Sequence, residues 1–353
     1  MTICPNAKTC GGCSLWEIPL QDQILQKRER LFKSVQSFTS GMTLENIQVF
    51  SVGPGQHRLW FDFQIRGNKM GLFPKRGLEI KDIVDLRECL LLSPKLQTLF
   101  DQIRTIVFPS FKISARIRIS PSGLKGLWLD LANTDIKTLL EEKTTLLKLK
   151  EIFDVIEIGQ KRKQLKFLDS LKLKDPETHA WFQTLTHPLM GHVGGFTQPS
   201  IISGDQLTQI VLSWSHGFQN ISEFGSGIGQ YTIPLLASGK NVEVFETNPL
   251  AIQALTLNAQ SFQNHLRINP EKNLSDAELF LVNPPRSGLG IFVNQIIDKK
   301  PERVIYISCS VESLTKDLEQ LKKYYVASSV KLIDQFPHSP HFESAVLLER
   351  VNI

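Results

Sequence analysis

The second half of this 353-residue chain predicts an α/β fold built on a doubly wound parallel sheet, and three observations carry that expectation. Short apolar runs alternate with helical patterns from Asn220 onward. A glycine-rich turn, Gly225-Ser226-Gly227-Ile228-Gly229, follows the first of those runs. The polar residues of chemical interest, Glu246, Asn283 and Cys309, each fall where a run ends. In such sheets every strand feeds a helix that returns over one face, and ligands bind outside the C-terminal strand ends.

The elements follow from local patterns. After a cysteine-rich start, the spacing of apolar residues from Pro19 to Phe32 predicts an amphipathic helix. Residues 47–130 favour short strands and turns, among them Leu59–Arg66 and Ala115–Ser120, the second closed by the turn Pro121-Ser122-Gly123. A helix is expected over Ile136–Leu149, and a loop rich in Gly and Pro from His187 to Gly204. Beyond it, strands are expected at Asn220–Phe224, Val242–Glu246, Leu279–Val282 and Val304–Ser308. Helices are expected near Gln230–Ala237, Pro249–Phe262 and Val311–Lys323. The reading is two domains: a smaller α+β domain over residues 1–190 and the α/β domain over 191–353. The helix within about residues 20–46 can pack on the second domain instead of its own.

Composition fits that division. The chain is 41% hydrophobic and 21% charged, ordinary for a globular protein with two cores. No run of eighteen apolar residues suits a membrane span, and the N-terminus lacks the basic and apolar regions of a secretory signal, so a cytoplasmic protein is expected. Residues 1–190 carry 28 Lys and Arg against 20 Asp and Glu, whereas residues 191–353 carry 12 against 15. The first half is the one suited to a polyanion.

Three constellations carry chemistry. Glycines in the turn let a backbone approach a ligand closely, and Glu246 stands where a carboxylate accepts hydrogen bonds from two ribose hydroxyls. A dinucleotide also binds such a loop, so a nicotinamide-dependent oxidoreductase stays open, although Gly-x-Gly-x-Gly spacing leans towards S-adenosylmethionine. Cys309 ends an apolar strand, and Asn283-Pro284-Pro285-Arg286 ends the preceding one, its prolines stiffening a polar loop. Phe336-Pro337-His338-Ser339-Pro340-His341-Phe342-Glu343 gathers two histidines and a carboxylate able to take a proton. Finally, Cys4, Cys10, Cys13 and Cys89 offer four soft ligands, which suit zinc or an iron–sulfur cluster equally on spacing.

Taken together, these segments resemble the RNA 5-methyluridine methyltransferases over nearly the whole chain. In that family the catalytic strand ends in Ser-Cys-Asn, here Ser308-Cys309-Ser310, and the terminal motif reads Phe-Pro-His-x-x-His-x-Glu. The resemblance implies a Rossmann-like class I methyltransferase domain, with S-adenosylmethionine bound through Gln198, Gly225, Gly227, Gly229, Gln230, Glu246 and Asn283. It implies Cys309 as the nucleophile that attacks carbon 6 of a uridine, and Glu343 as the base that frees the product, with His338 and His341 as competitors. It also implies a 4Fe-4S cluster on Cys4, Cys10, Cys13 and Cys89. Asn283-Pro284-Pro285-Arg286 and the lack of a TRAM domain resemble the RlmC subgroup, which implies 23S ribosomal RNA as partner; transfer RNA is the alternative. No obligate protein partner is expected. Basic residues Arg58, Arg66, Lys75 and Arg286 are expected against RNA, with Trp60 and Phe73 either stacking on bases or in the core. A metal-bearing RNA-binding protein without catalytic activity is the other reading.

Overall fold

The computed structural model describes residues 4–53, 57–80, 82–108, 112–131, 136–159, 163–167, 171–270 and 274–351. The chain forms two units whose segments interleave, in place of the single cut near residue 190 that the sequence predicts. One comprises Met1–Glu17, Pro54–Phe182 and Met190–Ser200; the other comprises Ile18–Gly53, Gln183–Leu189 and Ile201–Ile353.

The first unit is built on an eight-stranded sheet. In spatial order its strands are β4 (Val84–Asp85), β3 (Lys69–Leu72), β2 (Trp60–Arg66), β5 (Lys112–Ile119), β6 (Lys125–Asp130), β7 (Val155–Ile158), β8 (Lys163–Phe167) and β9 (Leu171–Lys174). All neighbours run antiparallel except β6 and β7, which are parallel and joined through α3 (Ile136–Glu141) and α4 (Lys143–Ile152). The sequence predicts one helix there; the backbone breaks at Glu142, which leaves the helical region at ψ 56°. Alternating Phe61, Phe63 and Ile65 of β2 face inward onto Phe100 of α2 (Pro94–Ile103), an edge-on packing of aromatic rings. Helix α2 starts where Ser93 accepts a hydrogen bond from the Leu96 N–H and Pro94 fills a position needing no donor.

The second unit is the expected doubly wound sheet. Its order is β1 (Gln48–Ser51), β17 (Tyr325–Asp334), β18 (Glu343–Arg350), β16 (Arg303–Ser308), β15 (Leu279–Val282), β12 (Asn220–Phe224), β13 (Asn241–Phe245) and β14 (Leu266–Asn269). The strands from β12 to β16 are parallel, whereas β18 is antiparallel to both β16 and β17. Strand β12 lies between β13 and β15, so the chain winds away from it in both directions. The crevice at its C-terminal end is therefore the topological switch point. Buried strands such as β15, Leu-Phe-Leu-Val, are apolar throughout because helices cover both faces.

Two elements depart from expectation. The segment read as a loop from His187 to Gly204 contains β11 (His187–Gly191), hairpin partner of β10 (His179–Thr184), and the first turn of α5 (Ile201–Trp214). Pro188 is tolerated because this pair forms a two-stranded sheet with open edges, and Gly204 is buried inside the helix. Helix α1 (Leu20–Val35) belongs to the second unit, where Leu31 and Val35 enter the core with Val330 and Leu332 of β17. No helix among the described residues is long and apolar enough to cross a membrane.

Candidate active site

The glycine loop follows β12 at the switch point. Gly225, Gly227 and Gly229 all have positive φ (78°, 57° and 96°), as a tight turn into α6 (Thr232–Ala237) requires. A Cβ on Gly225 would lie 2.4 Å from the carbonyl oxygen of Asn283, so the two strand ends close up only with glycine there. A Cβ on Gly227 would meet nothing within 4 Å, which marks open space over the middle of the loop. Glu246, just beyond β13, reaches back: one carboxylate oxygen accepts the Gly227 N–H at 2.9 Å, and the other accepts the N–H groups of Thr247 and Asn248. Glu223 beneath the loop is fully buried, and burial pushes its carboxyl up to about 7. One Glu223 oxygen accepts from Thr232; the other, like the Ser226 hydroxyl, has no hydrogen-bond partner among the described residues. A pre-shaped backbone cradle with orphaned buried acceptors suits a ligand carrying polar and cationic groups.

Gln230 donates its amide to the Gly204 carbonyl of α5. Gln198 lies in the first unit, buried, after a segment gripped by charged side chains. There the fully buried Arg118 donates to the carbonyls of His192, Val193 and Gly195 and to the Thr197 hydroxyl, while the Glu157 carboxylate accepts the Val193 and Gly194 N–H groups.

Strand pairing brings Cys309 and Glu343 together. Ser308 and Ser344 are register partners across β16 and β18, and the Ser344 hydroxyl donates to the Ser308 carbonyl. Cys309 and Glu343 are the next positions on the two strands, so the thiol and the carboxyl come together where β16 ends and β18 begins. Burial pushes the Cys309 thiol up, the nearby Glu343 carboxylate adds to this, and Arg286 opposes both through its charge and a hydrogen bond to the sulfur. Glu343 is itself buried, and burial lifts its carboxyl to about 8 against the pull of a Gln335 amide hydrogen bond and the Arg286 charge.

Two features fix this arrangement. Ser310 caps α9 (Val311–Leu321) by accepting from the Ser313 N–H, which ends β16 sharply after the cysteine. Asp317 of α9, also buried, accepts from the Leu289 N–H at 2.7 Å and the Tyr306 hydroxyl at 2.6 Å, and so anchors the loop that carries Arg286. A pocket of about 300 Å3 opens in front of the thiol, lined by Arg30, Arg286, Cys309, Glu312 and His341 among others. His341 therefore faces the pocket, whereas His338 is buried and its Nδ1 lies 3.1 Å from the Gln23 amide nitrogen.

Comparisons with known proteins bear on the family. A family model described as tRNA (Uracil-5-)-methyltransferase matches residues 240–351, which include both Cys309 and Glu343. An RNA methyltransferase of Bdellovibrio bacteriovorus, itself uncharacterised, is 35% identical across 98% of this chain and 95% of its own length. The chain belongs to the RNA uracil-C5 methyltransferase family. Among its relatives, the 23S rRNA (uracil(1939)-C(5))-methyltransferase RlmD of Shewanella piezotolerans is 23% identical over 98% of this chain and 81% of the relative. The fold resembles that of the Pyrococcus abyssi tRNA (uracil-54, C5)-methyltransferase, solved with S-adenosyl-L-homocysteine. The TM-score is 0.71 at 20% identity, covering 96% of this chain and 86% of that one. The chain is an S-adenosylmethionine-dependent RNA uracil methyltransferase, which overturns the nicotinamide-dependent oxidoreductase reading.

In the first unit, Cys4, Cys10, Cys13 and Cys89 line one pocket of about 230 Å3 with Trp16, Arg58 and Trp60. The thiols feel one another: burial and the charges of its three companions push Cys13 up to about 12. Among the described residues no three Cys, His, Asp or Glu side chains are drawn into the geometry of a single metal ion. The basic residues expected on an RNA surface are placed variously. Arg58 is turned to the cysteine pocket, and Arg66 is occupied by the Ile65 and Ile113 carbonyls and Gln64. Lys75 is half-buried behind Cys10, Arg116 covers the Trp60 ring, and Phe73 is 59% exposed.

Sequence reasoning missed Gln23, Lys27, Asp317 and Gln335. A signal existed for the first two: they continue, at intervals of four, the buried stripe of Leu31 and Val35. Polar residues on the apolar face of a helix invite a search for buried partners.

Proposed function

We propose that this enzyme methylates carbon 5 of a uridine in 23S ribosomal RNA, with Cys309 as nucleophile and Glu343 as the base that completes turnover. The observation that carries the reading is the register of β16 against β18, which sets a thiol beside a buried carboxyl at the C-terminal end of β16, in the same sheet as the glycine loop. Bound at the glycine loop and Glu246, S-adenosylmethionine supplies an electrophilic methyl group. The residues do the rest. Arg286 favours the thiolate of Cys309, which forms a bond to carbon 6 of the uracil and makes carbon 5 electron-rich. After methylation, Glu343 takes the proton from carbon 5, the electron pair forms the 5,6 double bond, and the carbon–sulfur bond breaks to return the thiolate. A buried carboxyl lifted to about 8 has a high proton affinity, as that step requires. Gln198 and Gln230 are assigned to the cofactor by family resemblance. The substrate uridine has to leave its stack to reach the thiol; Arg286 gives the pocket positive charge, while Arg30 there is paired with Glu312 and burial favours the neutral form of His341.

For the four cysteines, a 4Fe-4S cluster suits the site better than zinc. The thiols surround a pocket of about 230 Å3 rather than converging on one point, and its walls are mainly apolar side chains. The cluster would be held by Cys4, Cys10, Cys13 and Cys89 and would tie the N-terminal segment to the Cys89 loop. Exposed Lys69, Phe73 and Arg76 on the neighbouring hairpin are assigned to RNA.

Ribosomal RNA is preferred because relatives similar over nearly the whole chain, such as the RlmD proteins, name 23S rRNA, although the family model and the Pyrococcus abyssi structure name tRNA. The test is transfer of labelled methyl groups to total RNA by anaerobically purified wild type and Cys309→Ala, with nucleosides identified and the label separated between ribosomal and transfer RNA. Label in 5-methyluridine of 23S rRNA with wild type alone is expected. Label in transfer RNA would move the target, and none in any RNA would leave an RNA-binding protein without activity.

A further inference from the structure

Helix α1 grips the segment between the last two strands at both ends. Lys27 Nζ lies 2.7 Å from Asp334 Oδ1 and donates to the Phe336 carbonyl at 3.0 Å; both charged side chains are buried. One turn earlier, Gln23 accepts the His338 N–H at 2.8 Å through Oε1 and sets its amide nitrogen 3.1 Å from His338 Nδ1. His338 has φ 61°, a conformation that side chains other than glycine rarely adopt and that needs outside support. Between these two grips stands Gln335. Its amide donates to Glu343 at 3.2 Å and accepts the Ser203 hydroxyl at 2.6 Å.

An apolar pair at positions 23 and 27 would dock the helix as well, because desolvating an ion pair offsets most of its attraction. Leu31 and Val35 already do so on the same stripe. What apolar contacts lack is direction, and the turn from Asp334 to His338 is held by directed bonds.

We propose that Gln23 and Lys27 are positioning residues for the proton-removal step: they fix the Asp334–His338 turn, and through Gln335 that turn fixes the Glu343 carboxylate over carbon 5 of the methylated ring. The inference rests on Glu343 being the base. Displacing Glu343 leaves the carbon–sulfur bond and methyl transfer intact but slows loss of the carbon 5 proton, so the thioether to Cys309 is not released.

The readout is methyl tritium carried into the protein band of a denaturing gel after nuclease digestion, with total RNA from a strain lacking the gene as substrate. Lys27→Met and Gln23→Leu are expected to lower turnover between about 10- and 100-fold and to raise the labelled protein fraction severalfold, with Glu343→Gln trapping more. The double variant Lys27→Met/Asp334→Leu leaves no unpaired buried charge. It is expected to unfold at the wild-type temperature while still trapping label. Trapping by Glu343→Gln but by none of the α1 variants overturns this proposal alone. No trapping by Glu343→Gln overturns the base assignment and this proposal with it.

Discussion

Arg286 and Cys309 line the same pocket, and the guanidinium is the side chain there that favours the thiolate. Its proximity opposes burial and the Glu343 carboxylate, each of which favours the protonated thiol. Arg286→Gln is therefore expected to move the pH profile of Cys309 alkylation by iodoacetamide upward. A thiol that ionises a full pH unit higher leaves about tenfold less thiolate at neutral pH. An unmoved profile would mean that Arg286 serves the substrate alone.

The buried carboxyls give stability a definite dependence on pH. Glu343 is lifted to about 8 and Glu223 to about 7 from an ordinary 4.5. The folded state thus holds more protons than the unfolded one between about pH 4.5 and 8, so stability falls as pH rises through that window and levels off above it. Across the whole window the loss is on the order of 3 kcal/mol for Glu223 and 5 kcal/mol for Glu343. Urea denaturation at pH 5.5 and 8.5 is expected to show the loss, and Glu343→Gln is expected to remove part of it. With Glu343 as the proposed base, turnover is expected to rise over the same range, because a carboxyl accepts a proton only when ionised.

The glycine loop offers a contrast within a few residues. Gly225→Ala sets a Cβ against the Asn283 carbonyl, which backbone movement alone can relieve, so S-adenosylhomocysteine affinity is expected to fall by more than about tenfold. Gly227→Ala meets only the cost of its positive φ, about 1 kcal/mol, in open space. Calorimetry on both variants checks the difference.

For the cysteine pocket, anaerobic preparations are expected to carry about four irons per chain with the broad visible absorption of a cluster. Cys13→Ser should lose it and Cys309→Ala should keep it. Stoichiometric zinc without absorption would replace the cluster with a single ion.

The catalytic sheet was legible because its strands are buried on both faces and read as apolar runs; Asn220–Phe224 and Leu279–Val282 match residue for residue. Glycines at the loop and the cysteine at a strand end were visible for the same reason, since strand ends are where such runs stop. Helix α5 was not, because Gly204 and the prolines before it give the local signature of a loop, and burial overrides it. The division into units was misplaced for a different cause. It depends on where α1 docks, and Gln23 and Lys27 meet partners more than 300 residues away, which no local window contains. Arg58 and Arg66 read as surface charge in the sequence, whereas one is turned to thiols and the other to main-chain carbonyls.

The interleaving of segments bears on how the protein is made. The ribosome completes α1 and β1 early, yet Lys27 waits for Asp334, 307 residues later, and β1 for β17. At about 5–20 residues per second that delay is roughly 15–60 s. The cysteine-bearing unit can close in the meantime, while the exposed stripe of α1 has nothing to cover it. Strand β18 then joins β16 to β17 and brings Glu343 to Cys309 in the same event. A nascent or truncated chain thus brings Cys309 and Glu343 together only when its sheet is complete, and premature release would yield an aggregation-prone chain rather than a partly assembled site.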